Sequence, residues 1–206
     1  VLRRVCTDYR LWSDQLADPG RVSINLSLKQ LKQASFIPRF ASVFREKGVS
    51  PTAFELEITE STLMDDARHT VKLLDELYAM GIHLAIDDFG TGYSSLSTLQ
   101  QLPVETLKID QSFVRDAAVD RDDATLVRTI IEMGRNLEME VVAEGVETRE
   151  QLEFLRDRGC HQAQGRLFGE PMTAGELLAL MKSQAEGHAP FARHFEPRRL
   201  AGPRLV

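Results

Sequence analysis

Six short apolar runs alternate with stretches of helical periodicity along this chain. The runs are Val22-Ser-Ile-Asn-Leu26, Ala53-Phe-Glu-Leu-Glu-Ile-Thr59, His83 to Ile86, Thr106-Leu-Lys-Ile-Asp110, Glu140-Val-Val-Ala-Glu144 and a weaker one from Cys160 to Gln164. Between them apolar residues recur at helical spacing. Val71, Leu74, Leu77 and Tyr78 share a face of a predicted helix from about Leu63 to Met80, closed by Gly81. Leu126, Val127, Ile130, Ile131 and Leu137 do the same over 123–138. Residues 1 to about 16 read as a helix. Another is expected to run from the capping box Ser27-Leu-Lys-Gln30 to about Lys47, with Gly48 as its stop. Strand and helix in turn are the pattern of parallel βαβ units. A closed barrel of such units has eight strands. The chain shows about six and opens inside a helical pattern. The expectation is therefore an α/β fold of the (β/α)8 TIM-barrel type whose first strands are missing from the chain. A doubly wound open sheet is the alternative. Gly90 and Gly92 do not continue into G-x-G-x-x-G, so the dinucleotide fingerprint does not favour it.

Composition narrows the function classes. A formal net charge of -6 over 206 residues argues against broad electrostatic binding of long nucleic acid. No apolar run approaches the roughly 18 residues that span a bilayer. Two cysteines, Cys6 and Cys160, suggest neither a disulfide framework nor a zinc site, and a reducing cytoplasm is the expected setting. From about Ala185 onward His, Pro, Arg and Gly replace any period. The expected organisation is one domain over 1–184 and a loosely ordered tail over 185–206.

The C-terminal ends of the predicted strands are polar. In order they carry Asn25; Glu57, with Glu60 beyond it; Asp87 and Asp88; Lys108 and Asp110; Glu144, with Glu147 after it; and Gln164. Glu147 and Asp110 read equally well as helix-start residues. A barrel gathers such groups at one rim. Carboxylates with an amide oxygen, and no histidine or cysteine, describe a hard-cation site suited to magnesium or manganese. A pair of divalent cations bridged by carboxylates is a common device for phosphodiester hydrolysis, and a lysine beside it orients water or neutralises phosphate.

Several stretches carry a resemblance: Ile24-Asn-Leu-Ser27, Glu55-Leu-Glu-Ile-Thr-Glu-Ser61, Ala85-Ile-Asp-Asp-Phe-Gly-Thr-Gly-Tyr-Ser-Ser-Leu96, Leu107-Lys-Ile-Asp110, Val141-Val-Ala-Glu-Gly-Val-Glu-Thr148 and Gln164-Gly165 through Pro171. In this order, over about residues 1–182, they resemble the EAL-domain family of cyclic-di-GMP phosphodiesterases. The resemblance implies a modified eight-stranded barrel with one antiparallel strand. It implies hydrolysis of cyclic-di-GMP to linear pGpG with Mg2+ or Mn2+, two ions in all. Asn25, Glu57, Asp87 and Glu144 would be metal ligands, with Asp88 serving the second metal. Lys108 would hold the attacking water, and with Glu57, Asp87 and Glu144 would form the catalytic set. Asp110 would support it. Glu60 would anchor the loop from Phe89 to Ser95, which couples metal binding to dimer contacts. Gln164, Phe168 and Pro171 would contact or support the ligand. The implied partners are cyclic-di-GMP, a second copy in a homodimer, and an upstream sensory or GGDEF-type domain.

The chain also departs from the family pattern. The Glu-Ala-Leu signature does not occur in it, and the expectation places that motif upstream of Val1 together with two strands. Without them the chain itself is expected to have feeble activity or none. Arg166 stands where an aromatic residue is common, and Gly169-Glu170 replaces a small-basic pair. The alternative function is accordingly a catalytically inactive cyclic-di-GMP receptor that signals to a partner. A purely structural dimerisation domain is a third reading.

Overall fold

The computed structural model describes residues 1–60, 67–92 and 96–186. The expected helix start near Leu63, the end of the loop to Ser95 and the tail beyond residue 186 lie outside them. Two compact units result, Val1–Glu170 and Pro171–Val206. The first is built on six strands: β1 (Val22–Asn25), β2 (Phe54–Thr59), β3 (His83–Phe89), β4 (Thr106–Ile109), β5 (Glu140–Ala143) and β6 (Gln162–Ala163). They form one sheet in the order β1-β2-β3-β4-β5-β6, and every neighbouring pair is parallel. A doubly wound sheet reverses its order at a switch point. Here the order never reverses, which excludes that alternative and leaves the singly wound, barrel-type α/β fold. The antiparallel strand implied by the resemblance is not among the described strands.

The sheet has two chemically different faces because side chains alternate along a strand. Phe54, Leu56 and Ile58 of β2, Leu84 and Ile86 of β3, Leu107 and Ile109 of β4, and Val141 and Ala143 of β5 fall on one face and are all buried. They share a core with Phe40, Val43 and Phe44 of the helix Phe36–Lys47, Leu74 and Leu77 of Ala67–Ala79, and Val127, Ile130 and Ile131 of Arg121–Asn136. Right-handed crossovers between consecutive parallel strands put the helices on this one side. The residues between, Glu55, Glu57, Asp87, Thr106 and Lys108, make the opposite face polar although they too are buried.

The single helix expected from Ser27 to Lys47 is two, Leu28–Leu31 and Phe36–Lys47. Pro38 explains the break. Its ring excludes a helical turn before it, and its missing N–H is tolerated only in the first turn, where it sits. Gln30 Oε1 still accepts from Ser27 N–H at 3.3 Å, so the N-terminal signal was sound and only the length was not. The helical pattern after the Gly90–Gly92 loop is one short helix, Leu96–Leu99, and the helix Gln111–Asp116 is too short to show a period in the sequence. In the C-terminal unit, Thr173 and Glu176 form a capping box at the start of the helix Ala174–Ala185. No helix among the described residues is long and apolar enough to cross a membrane.

Close packing of the helix Arg121–Asn136 on β5 depends on Gly134. A Cβ built there would lie 2.3 Å from Val141 Cγ2, a stiff, fully buried side chain. Alanine improves helix propensity by up to about 1 kcal/mol, whereas overpacking costs about 1–3 kcal/mol. Gly134→Ala is therefore expected to lower stability by a net ~1–2 kcal/mol, read from the urea unfolding midpoint. An unchanged or higher midpoint would show that helix and strand part at no cost.

Candidate metal centre

A local irregularity creates the centre of the site. In a regular strand Asp87 and Asp88 would point to opposite faces. The β3–β4 register shifts between Ile86 and Phe89, and Asp88 takes a left-handed backbone with φ 52°. The extra residue bulges the strand end and turns both carboxylates to the rim. Ligand oxygens of Asp87, Asp88 and Glu144 then lie within 4.8 Å of one another.

Lys108 stands among them. Its Nζ is 2.7 Å from Glu57 Oε1, 2.5 Å from Glu144 Oε1 and 3.3 Å from Asp87 Oδ1. The lysine is only 4% exposed. Burial by itself would lower its pKa, but hydrogen bonds to Glu144 and Glu57 and their negative charge outweigh that and raise it. Lys108 is thus a fixed ammonium at neutral pH. Three carboxylates share this one cation. Burial raises the Glu144 pKa, helped by the charges of Asp87 and Glu57 and opposed by Lys108. Asp87 Oδ1 lies within ion-pair distance of Nζ, yet it is buried and has no hydrogen-bond partner. The ammonium is near enough to attract it but is not aimed at it.

Asp88 and Asp110 lie close enough to share a proton, which Asp88 would hold. Burial first, then the Asp87 charge, raises the Asp88 pKa. Burial opposes ionisation of Asp110 as well, but donation from the Ser112 hydroxyl and N–H and from Asp88 holds its carboxyl below the usual range. Asp110 also caps the helix Gln111–Asp116, with Ser112 N–H at 2.8 Å. Glu60 is buried, and its Oε2 accepts from the N–H groups of Gly90 and Gly92 at 3.1 Å each. It ties the loop after Asp88 to the end of β2. Asn25 pairs in register with Glu57, and its residue is exposed at the β1 edge. There it lines an apolar groove of about 590 Å3 between Ile24, Leu56 and Phe40, which includes no other residue of the centre. Gln164 is exposed, and its carbonyl accepts from Val146 N–H at 3.0 Å. Phe168 packs partly buried against the core. Pro171 opens the C-terminal unit. Arg166 is exposed between Glu147, at 3.5 Å, and Glu170, at 3.6 Å.

Two features go beyond the sequence reading: Gln151, which the sequence offers only as the end of a capping box from Thr148, and a polar tier below the rim. Gln151 is buried. Its Oε1 accepts from Glu147 and Thr148 N–H at 2.7 and 2.9 Å, and its Nε2 donates to Arg115 carbonyl at 2.9 Å. It clamps the loop after Glu144 to the helix that Asp110 caps. Below the rim, Ser23, Glu55 and Thr106 form a second polar tier beside a cavity of about 330 Å3. The signal for this tier was present: each residue lies two positions before Asn25, Glu57 or Lys108, hence on the same strand face.

The donor set fits a divalent cation. It offers only oxygen, it concentrates more negative charge than one lysine balances, and it leaves Asp87 Oδ1 without a hydrogen bond. The same frustration sets the pH dependence of the metal-free protein. Because the folded pKa of Glu144 is raised, its destabilising effect is absent below the unfolded value and complete once pH exceeds the folded value. Glu144→Gln is expected to raise the stability of the metal-free protein at neutral pH and to flatten that pH window, while weakening Mn2+ binding. Melting curves across pH with chelator, and Mn2+ titration calorimetry, check the two signs. A variant less stable without metal would contradict the charge argument.

The family model described as EAL domain matches residues 1–171. The chain is 44% identical over 179 residues to the bifunctional diguanylate cyclase/cyclic di-GMP phosphodiesterase MucR of Pseudomonas aeruginosa, covering 87% of this chain and 26% of that protein. It is 39% identical over 190 residues to the cyclic di-GMP phosphodiesterase NbdA of the same organism, covering 92% and 24%. It thus spans about a quarter of these curated relatives. Among solved structures, a PaMucR phosphodiesterase in complex with c-di-GMP superposes with a TM-score of 0.82 at 44% identity, over 85% of this chain and 71% of that one. Klebsiella pneumoniae BlrP1 with manganese and cy-diGMP gives a TM-score of 0.74 at 29% identity, over 84% and 44%. With its singly wound sheet and acidic strand ends, the chain belongs to the EAL domain family.

Proposed function

We propose that this chain is the hydrolytic domain of a divalent-metal-dependent phosphodiesterase that opens cyclic-di-GMP to linear pGpG. The observation that carries the reading is the buried cluster of Lys108 with Glu57, Asp87 and Glu144. A module kept for binding alone has no need of an ammonium buried among three carboxylates. The names of MucR and NbdA, and the nucleotide and manganese in the solved neighbours, support it.

In this reading Asn25, Glu57, Asp87, Asp88 and Glu144 hold two magnesium or manganese ions. Such ions, when bound, lower the pKa of a water and stabilise charge on phosphate oxygens. Lys108 acts as a donor and not as a base, because its raised pKa keeps all three N–H bonds in place. When its carboxylates share their charge with cations, the ammonium has an N–H to hold a water oxygen or a phosphate oxygen. Asp110 caps the next helix beside Asp88, and Glu60 holds the loop after Asp88 by two backbone bonds. Gln164 and Phe168 would support the nucleotide.

The domain is proposed to extend over 1–184, with 185–206 as a tail. In the whole protein it would work in the cytoplasm as a homodimer beside a sensory or GGDEF-type domain. The bifunctional name of MucR supports that company.

The test is hydrolysis of cyclic-di-GMP by the full-length protein, scored as pGpG. Turnover should vanish with chelator and return with Mn2+. Lys108→Ala should reduce kcat by about 10^2–10^3-fold, and Glu57→Ala should leave some nucleotide affinity without turnover. Saturable binding with no turnover in the wild type would identify a receptor instead.

A further inference from the structure

On the polar face of the sheet, two residues before the rim on each strand, Glu55 makes contacts that the rim chemistry does not use. The residue is 7% exposed. It accepts from Ser23 Oγ of β1 at 2.9 Å and from Thr106 Oγ1 of β4 at 2.9 Å, and Arg21 Nη1 lies 3.5 Å away. The bond to Thr106 passes over an entire strand. Ala85 of β3 sits in register between Glu57 and Thr106, and its methyl group leaves the path clear. One carboxylate therefore joins three strands from the inside: β1, β2 and β4.

Each anchor is two residues from a rim group. Ser23 precedes Asn25, Glu55 precedes Glu57, and Thr106 precedes Lys108. Backbone ladders fix neighbouring strands to each other, but β2 and β4 are not neighbours. The Lys108–Glu57 contact at 2.7 Å spans the same gap one tier up. We infer that Glu55 is a positioning residue: by tying β1, β2 and β4 below the rim, it sets the separation of Asn25, Glu57 and Lys108 and so the shape of the cation-binding centre. What that shape serves rests on the hydrolytic reading above. The alignment itself does not, because it acts on metal affinity before any reaction.

The experiment uses the full-length protein as wild type, Glu55→Leu, Glu55→Gln and Thr106→Val. Mn2+ affinity is read by calorimetry without nucleotide, melting temperature with chelator, and pGpG release with excess Mn2+. Partners bonded directly to a ligand typically change metal affinity or activity by about 10–100-fold, and Glu55, one tier further back, should fall at the low end of that range. Glu55→Leu should weaken Mn2+ binding by that order. Thr106→Val, which deletes one hydroxyl at nearly constant shape, should move it the same way by less. Glu55→Gln should stay close to wild type, because its amide still accepts from one hydroxyl and donates to the other. Rescue by glutamine separates a hydrogen-bonding role from a charge effect. If Glu55→Leu does not fold, Thr106→Val decides. Wild-type Mn2+ affinity in Glu55→Leu, or in Thr106→Val where it must decide, overturns the inference. So does a Glu55→Gln protein as damaged as Glu55→Leu, or a wild type that binds no Mn2+. A wild type that binds Mn2+ but releases no pGpG overturns the hydrolytic reading alone, and the order of the affinities still decides Glu55.

Discussion

A single ammonium group buried among carboxylates organises this domain. Lys108 reaches Glu57 on β2, Asp87 on β3 and Glu144 just beyond β5, so one side chain of β4 gathers the ends of three other strands. Taking that many charges out of water is costly, and the mutual attraction offsets it only where the geometry is good. Here the balance is left incomplete, with more carboxylate than cation and one carboxylate oxygen without a hydrogen bond. The unbalanced charge and the all-oxygen donor set of Asp87, Asp88 and Glu144 are of the kind that fits a hard divalent cation.

The rest of the fold serves to hold that arrangement. The apolar face of the sheet packs against helices and fixes the strands as a layer. The bulge at Asp88 brings two adjacent carboxylates to one rim at the expense of a left-handed backbone at a non-glycine residue. Loops beyond the strands are tied by buried polar groups. Glu60 binds the N–H groups of Gly90 and Gly92, and Gln151 fastens the loop after Glu144 to Arg115. Gly165 lets the loop after β6 lie against that same loop: a Cβ there would come within 2.1 Å of Val146 carbonyl oxygen. Backbone bonds from Val146 to Gln164 and from Leu167 to Val146 complete that seam.

Much of this was legible from the chain. Strand positions follow from apolar runs, and helix ends from Gly48 and Gly81, because those signals are local. That the strand ends are polar was legible too, whereas Asn25 lies exposed at the β1 edge, in a groove with no other residue of the centre. The break at Pro38 was readable in principle, since proline acts on its own turn, but the apolar periodicity on either side concealed it. Glu55 and Thr106 obeyed the period-2 rule yet looked like ordinary polar positions of half-exposed strands. Nothing local says that Glu55 meets Thr106, 51 residues away.

The sequence by itself determined the alternation of elements, the burial of one strand face and the oxygen-rich chemistry of the rim, because propensity, period and side-chain type are properties of short stretches. Only the tertiary structure decided that the strands run in unbroken order, that Asp87 and Asp88 turn the same way, and that Lys108 stands among three carboxylates rather than beside one. Those outcomes depend on register, on a one-residue bulge and on distances between strands that are remote in the chain. Such quantities are set when the whole sheet packs, not when any one of its segments forms.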